Sequence, residues 1–415
     1  MSGRFTMNTS LATLALLAIG LSGAGLASAS ERSYPVDCWP DRVVVWQPVA
    51  TNPQSLFGAA LVPGIVLGPP GDSAAQQGSL SVATLGFGGS VTLAFDDIVI
   101  EDRPGPDFII FENAFFKLPL PTTNTDDFRV FVEPARVEVS VDGLEWHPFA
   151  FDAAALAEAS GVPDVDRDLF RRLTGLAGVT PTLAGNWTLP NDPTIFDPQG
   201  TGGVSGAGGD AFDLADVGLA EARFVRITDL DSRNGFAGSG EGFDLDAVVV
   251  IHGRPVPTVA ADLDGDGLSD LAEQRLYGSN PSLADSDADG VDDGREVAGC
   301  RNPASSSTDR WRHHEPRLWV EPFGPCHDLR WTFLGTGVTY EVLRGRLDEL
   351  SESAIEVDLG TVECLDSGVT APRFSCDAAP LEPGSGRFFL VRAESEAGFG
   401  KSSRLNDRTT LVVCP

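Results

Sequence analysis

Two acidic segments of this 415-residue chain carry the residue types and spacing of twelve-residue calcium loops. Residues 262–273 read DLDGDGLSDLAE, and residues 285–296 read DSDADGVDDGRE. Calcium takes six to eight oxygen ligands, and such a loop supplies them from positions 1, 3, 5, 7, 9 and 12, with glycine at position 6 for the sharp turn. The predicted ligands are Asp262, Asp264, Asp266, the main-chain carbonyl of Leu268, Asp270 and Glu273 in the first loop, and Asp285, Asp287, Asp289, the main-chain carbonyl of Val291, Asp293 and Glu296 in the second.

The two loops form a repeat, which sets them apart from a chance match in an acidic protein. They begin 23 residues apart, and both have glycine at position 6 and glutamate at position 12. We call residues 262–296 the acidic cassette. Its eleven carboxylates and two arginines give it a formal charge of −9, out of −31 for the chain. A solvated acidic linker is the alternative, but it accounts for neither the glycine nor the glutamate.

A short connecting piece follows each loop and ends any helix after about one turn. These pieces read YGSNP at residues 277–281 and GCRNP at residues 299–303, whereas an EF-hand needs a full exiting helix. Residues 262–303 resemble thrombospondin type 3 repeats. The resemblance implies a calcium-filled rod that joins extracellular domains, with no long helices to open and therefore no sensor role. We expect weak sites, with Kd of about 0.1–1 mM.

The rest of the chain reads mainly as short strands separated by turns. Apolar or alternating runs predict strands at residues 91–95, 107–113, 136–141, 223–227 and 243–251, and again at 329–333, 339–345, 387–393 and 409–413. Asp142-Gly143 predicts a hairpin turn, and residues 153–177 include a short helical pattern. Many short strands without interleaved long helices favour an all-β, multidomain fold built of β-sandwiches.

Several of these segments resemble known modules. VSVDGLEW at residues 139–146 and ARFVRI at residues 222–227 resemble the paired strands of galactose-binding-like (discoidin-type) jelly-roll sandwiches. GPDFIIFENAF at 105–115, GDAFDL at 209–214 and GFDLDAV at 242–248 resemble bacterial cell-surface proteins that carry such a sandwich. That family implies binding of a sugar or surface ligand, often a structural calcium, and rarely catalysis.

The last part of the chain has its own resemblance. From residue 326 onward, Trp331, Tyr340 and the strand around Phe388 stand where a small sandwich places its core aromatics. This pattern resembles fibronectin type III-like modules, which implies a spacer or an interaction surface. The predicted organisation is a signal peptide at 1–29, a galactose-binding-like sandwich at 31–255, calcium repeats at 258–305 and a fibronectin type III-like sandwich at 318–415.

A second group of polar residues lies within the predicted first sandwich. We predict an additional metal or ligand site from Asp107, Glu112, Asn113, Glu241, Asp244 and Asp246. Asp244 and Asp246 are two apart, so on one strand they share a face, which suits a cation better than an acid and a base. Ordinary polar loop residues are the alternative reading of the set.

The N-terminus and the cysteines indicate export. An apolar run at residues 11–26 follows Arg4 and ends in Ala27-Ser28-Ala29, which predicts a signal peptide cleaved after about Ala29. The mature protein is then secreted or at the cell surface, without a transmembrane segment. Six cysteines allow 15 disulfide pairings. We favour Cys364 with Cys376, and Cys326 with Cys414, because each pair lies within the last domain.

The net charge and the absence of two catalytic motifs narrow the classes of function that the chain can have. A net charge of −31 argues against nucleic-acid binding, since phosphate recognition needs clustered basic residues. No HExxH or GxSxG motif is present. The leading hypothesis is a non-enzymatic, calcium-binding protein with a glycan- or surface-ligand-binding sandwich on a calcium-stiffened stalk. The alternatives are a polysaccharide hydrolase that uses carboxylates of the first sandwich, and a purely structural surface-layer or matrix component. Trp146 and Trp187 are candidates for stacking on sugar rings.

Overall fold

The computed structural model describes residues 36–50, 56–70, 81–116, 129–160, 162, 164–182, 208–230, 242–257, 260–306, 318–323, 326–332, 338–352, 356–377, 386–393 and 407–409. Strands predominate over helices, and the strands form several sheets that are almost entirely antiparallel. The chain is therefore mostly β-structure, in agreement with the predicted all-β class.

The described residues between 36 and 257 form what we call the N-terminal β-region. Its strands are β1 (Arg42–Gln47), β2 (Ala83–Thr84), β3 (Ser90–Ala94), β4 (Ile98–Glu101), β5 (Phe108–Phe111), β6 (Phe115–Phe116), β7 (Val130–Phe131), β8 (Ala135–Ser140), β9 (His147–Pro148), β10 (Leu176–Ala177), β11 (Asp210–Phe212), β12 (Glu221–Ala222), β13 (Phe224–Asp229), β14 (Asp244–Leu245), β15 (Ala247–Val250) and β16 (Gly253–Pro255). Its helices are α1 (Ala153–Ala159) and α2 (Arg167–Phe170), with 3-10 turns at Ala59–Leu61, Gly64–Val66 and Leu214–Val217.

The largest sheet runs in the order β1-β3-β13-β8-β10, with β9 also paired to β8. In its centre, Val225 pairs with Leu93 on one side and with Val139 on the other. Burial alternates along β13, as expected for a strand with one face on the core. The two segments whose motifs suggested paired strands, β8 and β13, are indeed neighbours. The predicted hairpin also forms, because β9 returns antiparallel to β8 and Gly143 has a φ of +76°.

Four shorter sheets complete the region, in the orders β11-β5-β15, β12-β4-β16, β14-β2 and β6-β7. Every residue of β5 and of β15 is buried, which explains why these segments lack polar alternation. Phe108 stacks on Phe212 with ring centroids 5.2 Å apart. Apolar residues of the largest sheet and of the first three shorter sheets belong to one hydrophobic cluster, whereas Phe116 of β6 and Val130 of β7 pack with α1 and α2 in a second cluster.

The acidic cassette packs against the N-terminal β-region. Its helices are α3 (Asp270–Ala272), which continues as a π-helical turn at Glu273–Tyr277, and α4 (Asp293–Ala298). Five apolar side chains of the cassette and its C-terminal flank are buried in the same hydrophobic cluster as the sheets, namely Leu268, Ala272, Tyr277, Val297 and Ala298. The sequence predicts a rod that stands apart from the first domain. The structure differs, because these residues face the β-region instead of solvent.

Polar and covalent contacts reinforce this packing. The Tyr277 hydroxyl accepts a hydrogen bond from the Val36 main-chain N–H at 2.6 Å, and Arg295 forms an ion pair with Glu101 at 3.2 Å. A disulfide joins Cys38 to Cys300, across 262 residues of sequence. The cassette is thereby tied to the segment before β1, covalently as well as by hydrogen bonding.

The described residues between 318 and 409 form the C-terminal β-region. Its strands are β17 (Leu318–Phe323), β18 (Cys326–Trp331), β19 (Tyr340–Arg346), β20 (Ser351–Glu352), β21 (Glu356–Asp358), β22 (Val362–Val369), β23 (Arg373–Asp377), β24 (Arg387–Ala393) and β25 (Asp407–Thr409), with a 3-10 turn at Leu347–Glu349. They pair in the orders β17-β18-β23, β22-β19-β24 and β20-β21-β25.

The aromatic residues predicted for the C-terminal core are buried. Trp331, Tyr340 and Phe388 are each 0% exposed, and the Trp331 and Tyr340 rings meet edge to face at 5.5 Å. The region contacts the N-terminal β-region where Arg330 donates to the Val62 carbonyl at 2.7 Å.

Two further predictions fall partly or wholly outside the described residues. Cys364 is disulfide-bonded, but the side chains of its predicted partner Cys376 and of Cys326 and Cys414 lie outside them. The predicted signal peptide at 1–29 lies outside them as well. Among the helices that the structure describes, none has the length and apolar character needed to cross a membrane.

Candidate functional site

The first acidic loop curls so that three carboxylates meet. Oxygens of Asp262, Asp264 and Asp266 lie within 4.8 Å of one another. Asp262 holds the curl, because its two carboxylate oxygens accept main-chain hydrogen bonds from Gly265 at 2.7 Å and Gly267 at 3.1 Å. Gly267 has a φ of +97°, a conformation that side-chain-bearing residues rarely adopt. Glycine at position 6 is therefore a requirement of the backbone.

The second loop repeats this geometry, with oxygens of Asp285, Asp287 and Asp289 within 4.8 Å of one another. Asp285 accepts from the main chain of Ala288 at 2.7 Å and of Gly290 at 2.9 Å, and Gly290 has a φ of +95°. The same turn thus forms twice from two copies of one spacing.

Position 9 of each loop ties the two ends of that loop together. Asp270 accepts from the Leu263 main chain at 2.8 Å, and Asp293 accepts from the Ser286 main chain at 2.8 Å. These carboxylates therefore fix the loop closure directly. The predicted position 7 residue Leu268 also anchors its loop, because its side chain is 1% exposed and packs in the hydrophobic cluster.

The two glutamates at position 12 are buried beneath the loops. Glu273 is 0% exposed and Glu296 is 1% exposed. One oxygen of Glu273 accepts from the Ser279 hydroxyl at 3.2 Å, but its other oxygen, Oε2, has no hydrogen-bond donor. The buried Glu296 Oε2 likewise has no donor.

Carboxylate oxygens at position 3 of each loop also lack hydrogen-bond donors. Both carboxylate oxygens of Asp264 and the Oδ2 oxygen of Asp287 are buried and accept no hydrogen bond. A buried carboxylate oxygen without a donor is costly, so native proteins usually pair it with a donor or a cation. The residues present at positions 3 and 12 thus fit a bound cation.

Burial and the crowding of carboxylates also raise the pKa values of the two position 12 glutamates. Burial, followed by repulsion from Asp266 and Asp264, raises the pKa of Glu273 to about 8. Burial and the charges of Asp287 and Asp289 raise the pKa of Glu296 to about 8. A nearby cation would oppose both effects, because opposite charge favours the ionised form.

The two loops share a boundary. Carboxylate oxygens of Asp266 and Glu273 from the first loop and Asp293 from the second lie within 4.8 Å of one another, and all three residues are buried. The Gly294 main-chain N–H donates to Asp266 at 2.9 Å. A cation bound in one loop would therefore interact electrostatically with carboxylates of the other loop.

The structure divides the second predicted set of polar residues. Glu112, Asn113 and Asp244 lie together, since Asn113 donates to Asp244 at 3.3 Å and the Asp244 main chain donates to Glu112 at 3.1 Å. Asp246 lies where the chain changes partners, because Asp244 pairs with Thr84 on β2 while residue 247 begins the pairing with β5. The expected single strand through 244 and 246 is therefore interrupted. Glu241 lies outside the described residues.

Asp107 lies apart from Glu112 and Asp244, in a separate acidic group with Asp102 and Asp213. Its buried carboxylate accepts from the Leu214 main chain at 2.8 Å and lies 3.0 Å from Nδ1 of His252. Asp107 therefore fastens loops of the N-terminal β-region. The His252 contact was not predicted, because the two residues are 145 apart in the sequence.

Sequence reasoning also missed Glu133, which the fold brings to Glu112 and Asp244. The signal available was a single charged residue inside the apolar run 130–135, which reads VFVEPA. Its side chain is only 5% exposed.

A cavity of about 430 Å³ opens between α2 and β11. Phe149, Phe170 and Phe212 line it together with Asp210 and Asp216. Burial raises the pKa of Asp210 to about 7, although its carboxylate accepts main-chain hydrogen bonds from residues 179 and 180. Trp146, considered for sugar stacking, has the Arg226 guanidinium over its ring at 4.0 Å, and Trp187 lies outside the described residues.

Comparison with known proteins adds no relative to this description. No protein-family model matches the chain, and no curated protein matches it.

Proposed function

We propose that the chain is a secreted or surface-displayed, non-enzymatic calcium-binding protein whose two acidic loops hold Ca²⁺ against the N-terminal β-region. The observation that carries this proposal is the set of buried carboxylate oxygens without donors at positions 3 and 12 of both loops. Ligands that are all oxygen suit a hard cation such as Ca²⁺ better than Zn²⁺, which favours nitrogen and sulfur.

Each ion would be held by the position 1, 3, 5 and 12 carboxylates of its loop. The position 7 carbonyls of Leu268 and Val291 complete the predicted ligand sets, and position 9 acts through the loop closure that Asp270 and Asp293 provide. Because the cassette packs on the β-region, the ions fasten parts of one folded unit together. This role replaces the stalk that the spacing alone suggested.

The ligand-binding part of the proposal concerns the N-terminal β-region, which we assign to the galactose-binding-like sandwiches. The basis of this assignment is the resemblance of the sequence motifs at residues 139–146 and 222–227. The cavity beside α2 supports a small polar ligand such as a glycan, because it combines apolar walls with carboxylates at Asp210 and Asp216. The C-terminal β-region, which we assign to fibronectin type III-like modules, acts as a spacer or contact surface.

Calorimetric titration of the chelator-treated full chain with CaCl₂ tests the calcium proposal. We expect uptake of at least two ions, and Glu273→Gln and Glu296→Gln should each weaken one binding step at least about tenfold by removing ligand charge. Glu145→Gln is the matched control, because that side chain is 83% exposed and far from both loops in sequence. Uptake that neither loop substitution changes would overturn the proposal.

A glycan array with the full chain tests the ligand. Specific hits that weaken at least about tenfold in Asp216→Ala, and not in Glu145→Ala, would support binding at the cavity. The full chain is required, because the cassette supplies part of the core that the β-region needs. An array without specific hits would instead favour the purely structural alternative.

A further inference from the structure

Two buried carboxylates and one half-buried carboxylate outside the acidic cassette converge within the N-terminal β-region. Glu112 directly follows β5, Glu133 lies in the short segment between β7 and β8, and Asp244 begins β14. Oxygens of the three side chains lie within 4.8 Å of one another. Glu112 is 1% exposed and Glu133 is 5% exposed, so water does not screen their mutual repulsion.

The hydrogen bonds around this group leave specific oxygens unsatisfied. Asp244 accepts from the Thr84 hydroxyl and from the Asn113 amide nitrogen, and Glu112 Oε1 accepts from the Asp244 main chain. Glu112 Oε2 is buried without any donor. The amide nitrogen of Asn113 donates to Asp244. The amide oxygen of Asn113 is buried and, like Glu112 Oε2, has no hydrogen-bond donor.

The pKa shifts of the three carboxyl groups indicate that they lack a positive counter-charge among the described residues. Burial, then the charges of Glu133 and Asp244, raise the pKa of Glu112 well above its usual value. Burial and neighbouring carboxylates likewise raise the pKa of Glu133 and of Asp244. Among the described residues, no arginine, lysine or histidine forms an ion pair with any of the three.

We propose that Glu112, Asn113, Glu133 and Asp244 form a third cation site, which binds a hard divalent cation of the Ca²⁺ type independently of the acidic cassette. Three carboxylates and one amide supply oxygen ligands from side chains that the fold already holds together. One ion satisfies the unpaired Glu112 and Asn113 oxygens and neutralises most of the buried charge.

The position of this site gives it a structural consequence. Glu112 extends from the sheet β11-β5-β15, Glu133 leads into the largest sheet, and Asp244 belongs to the pair β14-β2. The Thr182 hydroxyl also donates to the Glu112 carbonyl at 2.9 Å, which fixes the segment after β5. An ion at this point would join segments that belong to three sheets.

Counting bound ions tests the proposal separately from the function of the cassette. The full chain is freed of metal with a chelator, and bound ⁴⁵Ca²⁺ is measured by equilibrium dialysis. The wild type should bind three ions. A cassette variant carrying Asp264→Asn, Glu273→Gln, Asp287→Asn and Glu296→Gln should still bind one ion, and adding Glu133→Gln or Glu112→Gln to it should abolish that binding.

Glu138→Gln is the matched control, because Glu138 is also buried but its carboxylate is paired with the Arg226 guanidinium at 2.8 Å, and the ion count should not change. If the cassette variant binds no Ca²⁺, or if Glu112→Gln and Glu133→Gln leave its remaining ion in place, the third site is refuted. In the first case the three carboxyl groups share protons instead of a cation. A cassette variant that loses two ions and retains one would support both proposals.

Discussion

Removing calcium from the two loops is expected to destabilise the N-terminal β-region as well as the cassette. Five apolar side chains of the cassette and its flank lie in the same hydrophobic cluster as the sheets. The cassette is also fixed to the start of the β-region by the Tyr277 hydroxyl and to β4 by Arg295. Because these contacts are shared, the loops cannot lose their shape without exposing part of that core.

The size of the effect follows from linkage between binding and folding. An ion that binds only the folded state stabilises it by RT ln(1 + [L]/Kd). With about 10 mM Ca²⁺ and a Kd of about 0.1–1 mM, each loop contributes about 1.4–2.7 kcal/mol. Two loops together contribute about 3–5 kcal/mol, which at about 2–4 °C per kcal/mol corresponds to an increase in Tm of about 6–20 °C for a unit of this size.

Two measurements on the full chain check this reasoning. Differential scanning calorimetry with chelator or with Ca²⁺, in the Glu133→Gln background that removes the third site, gives the shift in Tm from the two loops, and adding Glu296→Gln should reduce that shift by about half, whereas adding Glu145→Gln should not. Hydrogen exchange followed by mass spectrometry gives the location, and β3 and β13 should gain protection with Ca²⁺. The reasoning is refuted if calcium protects only the residues of the cassette while exchange in β3 and β13 stays the same.

Three further predictions follow from contacts of the cassette. The pKa values of Glu273 and Glu296 are raised to about 8 in the folded state. Protonation of these two side chains therefore stabilises the folded protein fully below about pH 4.5, and this contribution to the free energy of unfolding is lost as the pH rises through about 8. Chelated protein should therefore melt at a lower temperature at pH 8.5 than at pH 5.5, and Ca²⁺ should remove that decrease; equal melting of chelated protein at both values would contradict the assignment. Replacing Cys38 and Cys300 together by alanine should lower the free energy of unfolding by about 2–5 kcal/mol in denaturant titrations, because the bridge closes a long loop in the unfolded chain. Tyr277→Phe should lower it by about 1–3 kcal/mol, since a buried main-chain N–H loses its acceptor, and a change below about 0.5 kcal/mol would show that water replaces the hydroxyl.

Local sequence was sufficient for the features that depend on residues close in the chain. The carboxylates at positions 1, 3 and 5 of each loop meet as predicted, because glycine at position 6 and main-chain donors to position 1 lie within the same twelve residues. The strands with strong alternation, such as β8 and β13, and the Asp142-Gly143 turn were also predictable. Each of these depends on periodicity or on a turn residue, which a single sequence displays.

Long-range contacts were not predictable in the same way. Glu133 reaches Glu112 only because separate sheets bring the ends of β5 and β8 together. The packing of the cassette on the β-region was missed because Leu268 and Val297 read as ordinary apolar residues within a polar repeat. The predicted set that included Asp107 mixed two groups, since spacing along the chain does not reveal that Asp107 bonds to Leu214 and His252.

The Cys38–Cys300 bridge makes the N-terminal β-region and the cassette into a single covalent ring. A protease that cuts one loop between these residues therefore opens the ring without releasing a fragment. The nicked molecule would keep its original mass on a non-reducing gel and separate into two pieces only after reduction. A single cleavage of the ring therefore leaves the acidic cassette attached to the β-region on which it packs.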